Sequence, residues 1–467
     1  MTQTMHGFAL ATLIGAIAIA SIAMSGRAAG KGSFFDGREP DGRAPGLWTL
    51  VLSQVTTWIF ARSLLNVAIL GFYYGAPGAL AYTVYYASFL TGWMVVDGIR
   101  FRAGAASMQA YLRDQFGRAG AACYNLVIAL RLLSEVFANL LVVAIIFDGL
   151  FPDSRAGACS IVVLALVGLG YSMMGGLRAS LRTDVMQMLA FLVVFAITFL
   201  AMLTHDTFSL VATLSAQGTA GPAPGWVLVA VAVLQIWSYP THDPVMTDRG
   251  FLADRETTRR SFLHAFWIST LCIFGFGLLG VHAGLVAGPG ETMQAAWARL
   301  YDPAIMLCLN AAMIISAMST LDSTLCSAAR LAVRDMRIGA ETIANGRIAM
   351  AVFMLGGVAM MLADLNNLYA AVAVSGTASM FLAPVLFFNI LGGARAVPVW
   401  SYVAGFLAAM GGAMLYFFVE SKAGWALELT GGVHKYTALL WICISVLVIG
   451  NAAFGIGLAM RRRTAVV

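Results

Sequence analysis

Apolar runs of membrane-crossing length recur from one end of the chain to the other, and that pattern leaves few folds open. A helix of roughly 20 apolar residues spans the ~30 Å hydrocarbon layer of a bilayer. About thirteen such runs are read here, over 7–25, 48–72, 80–97, 120–148, 158–176, 184–204, 225–245, 262–282, 302–329, 348–363, 368–392, 399–418 and 437–459. They are continuous rather than alternating, which favours helices over a barrel. The expected fold is an all-α membrane protein with about thirteen transmembrane helices. Only 11% of the residues are charged and 60% are hydrophobic, against about 25% charged in soluble domains, so a water-soluble fold is excluded. The longest polar stretches are 26–47, 205–224 and 419–436, which leaves one membrane domain with short linkers.

Basic residues orient these runs. Of 28 Lys and Arg, four (Arg155, Arg299, Lys422, Lys435) fall in loops on one side and two (Arg62, Arg131) inside runs; the other 22 fall on the opposite side. The asymmetry predicts a bacterial-type inner-membrane protein with its N-terminus outside and its C-terminus cytoplasmic. The formal charge of +6 therefore suits anionic lipid headgroups and not nucleic acid. No Lys or Arg precedes the first run, and Arg27 and Lys31 follow it, the reverse of a secretory signal, so it is read as a helix of the protein. The six cysteines are read as small buried hydrophobes. No Walker loop or HExxH pattern occurs, and the chain is not expected to be an enzyme.

Charges inside such runs normally pair with one another or face a cavity, because each costs roughly 2.5–3.5 kcal/mol at mid-bilayer. Arg62, Arg131, Glu135, Asp243 and Asp322 stand out. Arg131, Glu135 and Asn139 are spaced by four and share one helical face, as either a structural ion pair with a packing amide or a polar stripe along a solute cavity. Asp243 lies in Tyr239-Pro240-Thr241-His242-Asp243-Pro244. The two prolines either break a helix at membrane depth, where transporters place their sites, or end it at Pro240 with His242 and Asp243 at the interface. Ser316, Ser319, Thr320, Asp322, Ser323 and Thr324 crowd another run. A hard cation takes a cage of oxygens in place of its hydration shell; Ser319 and Thr320 offer hydroxyls, and Ser316 a carbonyl one turn earlier. The run carrying Ser53, Gln54, Thr56 and Thr57 can add carbonyls if it is interrupted there.

These residues resemble the sodium:solute symporter family, over roughly 30–390. Tyr171-Ser-Met-Met-Gly175-Gly176-Leu-Arg-Ala-Ser-Leu-Arg-Thr183-Asp184-Val-Met-Gln187 is similar to the family's YxxxGGxxAxxxTDxxQ stretch, and Ser316-Ala-Met-Ser319-Thr320-Leu-Asp322-Ser323 to its sodium helix. Asp243-Pro244-Val-Met-Thr-Asp-Arg249 resembles a segment that ends in a cytoplasmic Arg. The resemblance implies a leucine-transporter-like core of two inverted five-helix repeats, 48–204 and 225–392, with 1–47 and 393–467 peripheral. It implies Na⁺ as coupling ion, bound by backbone oxygens of Thr56 and Ile59, the Ser316 carbonyl and the Ser319 and Thr320 hydroxyls. Asp184 matches a family Asp implicated in sodium use, and equally suits a helix N-cap. Solute contacts are expected from Thr57, Trp58, Arg62, Arg131, Glu135, Asn139, Tyr239 and Asp243. Trp58 and Arg62 depart from the proline symporter, which has an acidic residue where Trp58 falls, so no familiar member's substrate carries over.

The resulting expectation is sodium-coupled symport of a small polar or zwitterionic solute by alternating access. The alternatives are proton coupling through Asp184, Glu135 or Asp243, and a transporter-like membrane sensor.

Overall fold

The computed structural model describes residues 3–151, 155–362, 375–394 and 397–464. Among these residues there is no strand, and nine helices are long and apolar enough to cross a membrane; the chain is a multi-pass membrane protein. In chain order the helices of the first half include α1 (Gln3–Ser25), α2 (Leu47–Trp58), α3 (Ala61–Val84), α4 (Ser88–Val96), α5 (Met108–Leu150) and α6 (Ala156–Leu203), the short ones among them not counted separately in the nine. The second half holds α7 (Ala223–Gln235), α8 (Pro244–Gly250), α9 (Arg255–Val286), α10 (Pro303–Arg330), α11 (Ile343–Leu362), α12 (Val399–Glu420) and α13 (Lys435–Thr464).

The apolar runs map onto these helices with two kinds of interruption. Some neighbouring runs are joined through a bent glycine. The 158–176 and 184–204 runs form the single path of α6, which turns at Gly176 (φ 61°). A Cβ there would lie 2.5 Å from the Phe34 carbonyl oxygen, so only glycine fits both the left-handed backbone and the contact. Two other runs are broken outright. The 48–72 run splits into α2 and α3, and the 225–245 run into α7, a short turn at Tyr239–His242, and α8. Pro240 and Pro244 lack the N–H that would continue the helix. The second part of the 368–392 run holds the apolar helix Leu382–Leu391; its first part, and Arg395, lie outside the described residues.

The expected first helix is present and packs against α6 and α10. Behind it, the short helix Lys31–Asp36 buries Phe34 and Phe35 at one end of the bundle. Large apolar side chains such as Leu166, Val193, Leu200, Leu407 and Val448 are exposed around the outside, where lipid covers them. The cysteines depart in part from the sequence reading. Cys272, Cys326 and Cys443 are buried, but Cys159 is exposed near the start of α6.

Inside the bundle α3 and α9 pack closely along their length, and small residues permit it. A Cβ on Gly280 would sit 2.0 Å from the Ala68 carbonyl oxygen, and one on Gly71 2.6 Å from that of Gly277. Gly275-Phe-Gly277-Leu-Leu-Gly280 has GxGxxG spacing, but it lies inside α9 as a packing surface and not at a strand–helix turn. Gly280→Val is expected to force these helices apart and cost at least about 1–3 kcal/mol. Gly15→Val, whose Cβ meets nothing within 4 Å, serves as the control. Thermal unfolding in detergent checks this: a clear loss for Gly280→Val with little change for Gly15→Val.

Candidate functional site

The break between α2 and α3 frees backbone groups in the middle of the bundle, and side chains from other helices meet them. A helix end leaves its last carbonyls without an intrahelical donor. Here the Val55 carbonyl accepts the Ile59 N–H (3.0 Å) and the Trp58 carbonyl accepts the Tyr86 hydroxyl (2.9 Å). The Ile59 carbonyl accepts the Ser316 hydroxyl from α10. Across the gap, the Ala61 N–H at the start of α3 donates to Asn139 Oδ1 of α5 (3.3 Å). The interruption is thus held by three different helical elements.

One turn along α10 from Ser316, Thr320 Oγ1 donates to the Ser316 carbonyl (2.9 Å). Ser319 Oγ donates instead to Asp184 Oδ1 of α6 (2.7 Å). Thr56, Ile59, Ser316, Ser319 and Thr320 are all buried, and these hydrogen bonds place Ile59, Ser316 and Thr320 in one chain of oxygens beside Ser319. This donor set is uncharged and all oxygen, which fits a hard monovalent cation. Binding an ion would turn the Ser316 and Thr320 hydroxyl protons away, so that their lone pairs face it.

Asp184 is no helix N-cap, since α6 runs straight through it. Its Oδ2 accepts from Ser53 Oγ (2.6 Å) and from Arg249 Nη2 (3.2 Å). Arg249 also donates to Ser323 Oγ (2.6 Å) and, through Nε, to Ser53 Oγ (3.0 Å). Arg249 is 0% exposed, so the expected cytoplasmic Arg lies in the core, where α8 carries it inward after the Asp243-Pro244 break. Sequence reading missed it because a residue five positions after a proline looks like loop. Asp322 faces hydroxyls, with Oδ1 accepting from Ser180 (2.9 Å) and Oδ2 from Thr183 (2.9 Å).

A second buried cluster joins the two broken helices. Arg62 Nη2 donates to Glu135 Oε1 (2.7 Å), Glu135 pairs with Arg131, and Arg131 Nη2 reaches Asp243 Oδ2 (3.1 Å). All four are at most 5% exposed, and their formal charges sum to zero. Asp243 Oδ1 also accepts the Met246 N–H (3.0 Å), capping α8. His242 and Asp243 are therefore buried rather than interfacial. His242 Nδ1 contacts the Tyr239 carbonyl and Nε2 the Ser375 hydroxyl.

Next to this cluster is a cavity of about 290 Å³. Of the residues expected to contact a solute, Trp58, Arg62 and Tyr239 line it. Thr57, Arg131, Glu135, Asn139 and Asp243 do not. Thr57 donates to the Ser53 carbonyl (2.7 Å), Asn139 caps α3, and the other three pair with one another behind the wall. Of the alternatives for the 131/135/139 face, the structural ion pair with a packing amide is the one seen. Aromatic residues that sequence reading passed over, Phe60, Tyr82, Tyr85 and Tyr86, form part of the wall, with Asn66 and Gln235 among its polar groups, and Glu420 and Lys435 stand at its far end. The only available signal was the spacing of Tyr82, Tyr85 and Tyr86, which puts three hydroxyl-bearing rings on one helical side.

No protein-family model and no curated protein sequence matches the chain. Its fold is similar to a Na⁺-coupled sialic acid symporter in a substrate-bound outward-open state (TM-score 0.70, 15% identity, 97% of each chain). It is also similar to Mhp1, a nucleobase-cation-symport-1 family transporter, closed with bromovinylhydantoin bound (TM-score 0.58, 14% identity, 92% of this chain and 94% of that one). A manganese transporter of Eremococcus coleocola matches at TM-score 0.52 and 13% identity over 87% of this chain and 94% of that one. The fold is leucine-transporter-like.

Arg249 is the cation that balances Asp184 in this core. Arg249→Ala is expected to destabilise the protein by about 3–5 kcal/mol, by leaving a buried carboxylate unpaired. Adding Asp184→Asn should restore part of that loss. Thermal unfolding of the single and double variants checks the pairing.

Proposed function

We propose that the chain is a secondary transporter that couples Na⁺ entry to uptake of a small solute by alternating access. The observation that carries this reading is the meeting of the Ile59 carbonyl, freed by the break between α2 and α3, with Ser316 of α10, beside the hydroxyls of Ser319 and Thr320. Thr56 would add a backbone oxygen. The solute would occupy the neighbouring cavity lined by Trp58, Arg62 and Tyr239. Proton coupling is disfavoured, because Asp184, Glu135 and Asp243 each pair with an arginine that a proton would have to displace.

The cavity reaches Glu420 and Lys435, at the ends of α12 and α13 that the charge asymmetry puts outside. In this reading the conformer faces outward. The cytoplasmic end is closed by Phe34 and Phe35 under the Gly176 bend and by the Arg249–Asp184 pair. Movement of the two five-helix units, 48–204 and 225–392, would then expose the site to the inside. The membrane potential supplies about 2.3 kcal/mol per charge per 100 mV. A likeness in fold to a Na⁺-coupled symporter supports the coupling mode.

Thermal unfolding in NaCl against equimolar KCl tests the sodium site. Na⁺ at about 100 times its Kd should stabilise the wild type by about 2.7 kcal/mol, and Thr320→Ala should lose most of that. Equal stability in the two salts, with a solute response that follows pH, would replace Na⁺ by H⁺.

A further inference from the structure

Two residues that line the cavity, Trp58 and Arg62, each hold a buried side-chain donor without a partner among the described residues. Trp58 is 2% exposed, and its Nε1 has no partner among the described residues. Arg62 is 5% exposed; Nη2 is committed to Glu135, and Nε has no partner. Three tyrosine hydroxyls of the same wall are engaged. Tyr82 bonds Ser63 (2.9 Å), Tyr85 donates to Gln235 (2.6 Å), and Tyr86 donates to the Trp58 carbonyl (2.9 Å). A buried donor without a partner is costly, and a charged one is best satisfied by an ionised acceptor.

Among the described residues, no unpaired carboxylate lines that same end. Glu135 and Asp243 lie behind the wall, each paired with arginine. Glu420, the carboxylate that lines the cavity, stands at its far end and is paired with Lys435 (2.7 Å). An ammonium entering beside Trp58 would meet the positive charge of Arg62, and no free carboxylate among the described residues. The remaining surface is mostly aromatic ring and aliphatic side chain, among them Ile69, Leu70, Leu228 and Leu439, with Ser63, Asn66 and Gln235 as its uncharged polar groups, which suits a flat or branched apolar body.

We infer that the solute is a small monocarboxylate with an apolar or aromatic body and no amine, its carboxylate received by Arg62 and Trp58 Nε1. This narrows the solute of the symport reading and rests on it. The four-charge cluster behind the wall is already neutral, so the anion brings one uncompensated negative charge. A Na⁺ held at the Ile59 end of the same helix break would offset that charge, which makes the two ligands favour each other's binding.

The test measures thermal stabilisation of the purified wild type in NaCl and in KCl by acetate, isobutyrate, benzoate and phenylacetate. Each is compared with its amide, with phenethylamine and phenylalanine as amine-bearing probes. The expected result is that at least one carboxylate stabilises in NaCl at a tenfold or lower concentration than its amide, while the amine-bearing probes do not. Trp58→Phe, which keeps the ring and removes the N–H, should raise that carboxylate's half-saturating concentration roughly tenfold. Stabilisation by Na⁺ with no response to any of the four carboxylates, or an equal response to the amide or amine, overturns the inference and leaves the sodium reading standing. A carboxylate that acts equally in NaCl and KCl supports the inference and contradicts sodium coupling.

Discussion

The structure is organised around unpaired backbone in a place where water cannot repair it. An interrupted helix in a bilayer must find partners for its free N–H and C=O groups, since each unsatisfied group costs several kcal/mol there. Asn139, Tyr86 and Ser316 answer for the groups at the break between α2 and α3. They come from three separate segments, so the break cannot be relocated without disturbing all of them. In the proposed reading the carbonyl that Ser316 satisfies would also serve the cation, so that a structural necessity of the fold would double as a ligand set.

Neutrality is the second constraint. Arg62, Arg131, Glu135 and Asp243 tie the two broken helices together with no net charge, while Arg249 offsets Asp184 beside the hydroxyl cluster. Burying such pairs adds little stability in itself. It does fix the relative position of the two broken helices, which the proposed alternating-access cycle would have to move.

Much of the fold was legible because it follows from hydrophobic length alone. The runs, the packed first helix and the break at Pro240 and Pro244 all have direct chemical signals. The break after Trp58 has no proline or glycine; only the crowd of Ser, Gln and Thr before it, and the resemblance to a known family, suggested it. The charged face at Arg131 and Glu135 was read correctly as shared, but periodicity gives a face and not its neighbour, so it could not say that Arg62 and Asp243 would take both residues away from the cavity. Arg249 was hidden by its place after a helix break, where a charge count assigns it to a loop. The tyrosines of the wall were hidden because an aromatic stripe looks like core until the empty volume beside it is known.

The central claim is that the α2–α3 break and α10 together hold Na⁺, and equilibrium binding of ²²Na⁺ to the purified protein tests it most directly. The account predicts saturable binding that unlabelled Na⁺ displaces and K⁺ does not, weakened at least roughly tenfold by Thr320→Ala through loss of one coordinating oxygen. Saturable binding that survives Thr320→Ala unchanged, or no saturable binding in a folded wild type, would contradict it.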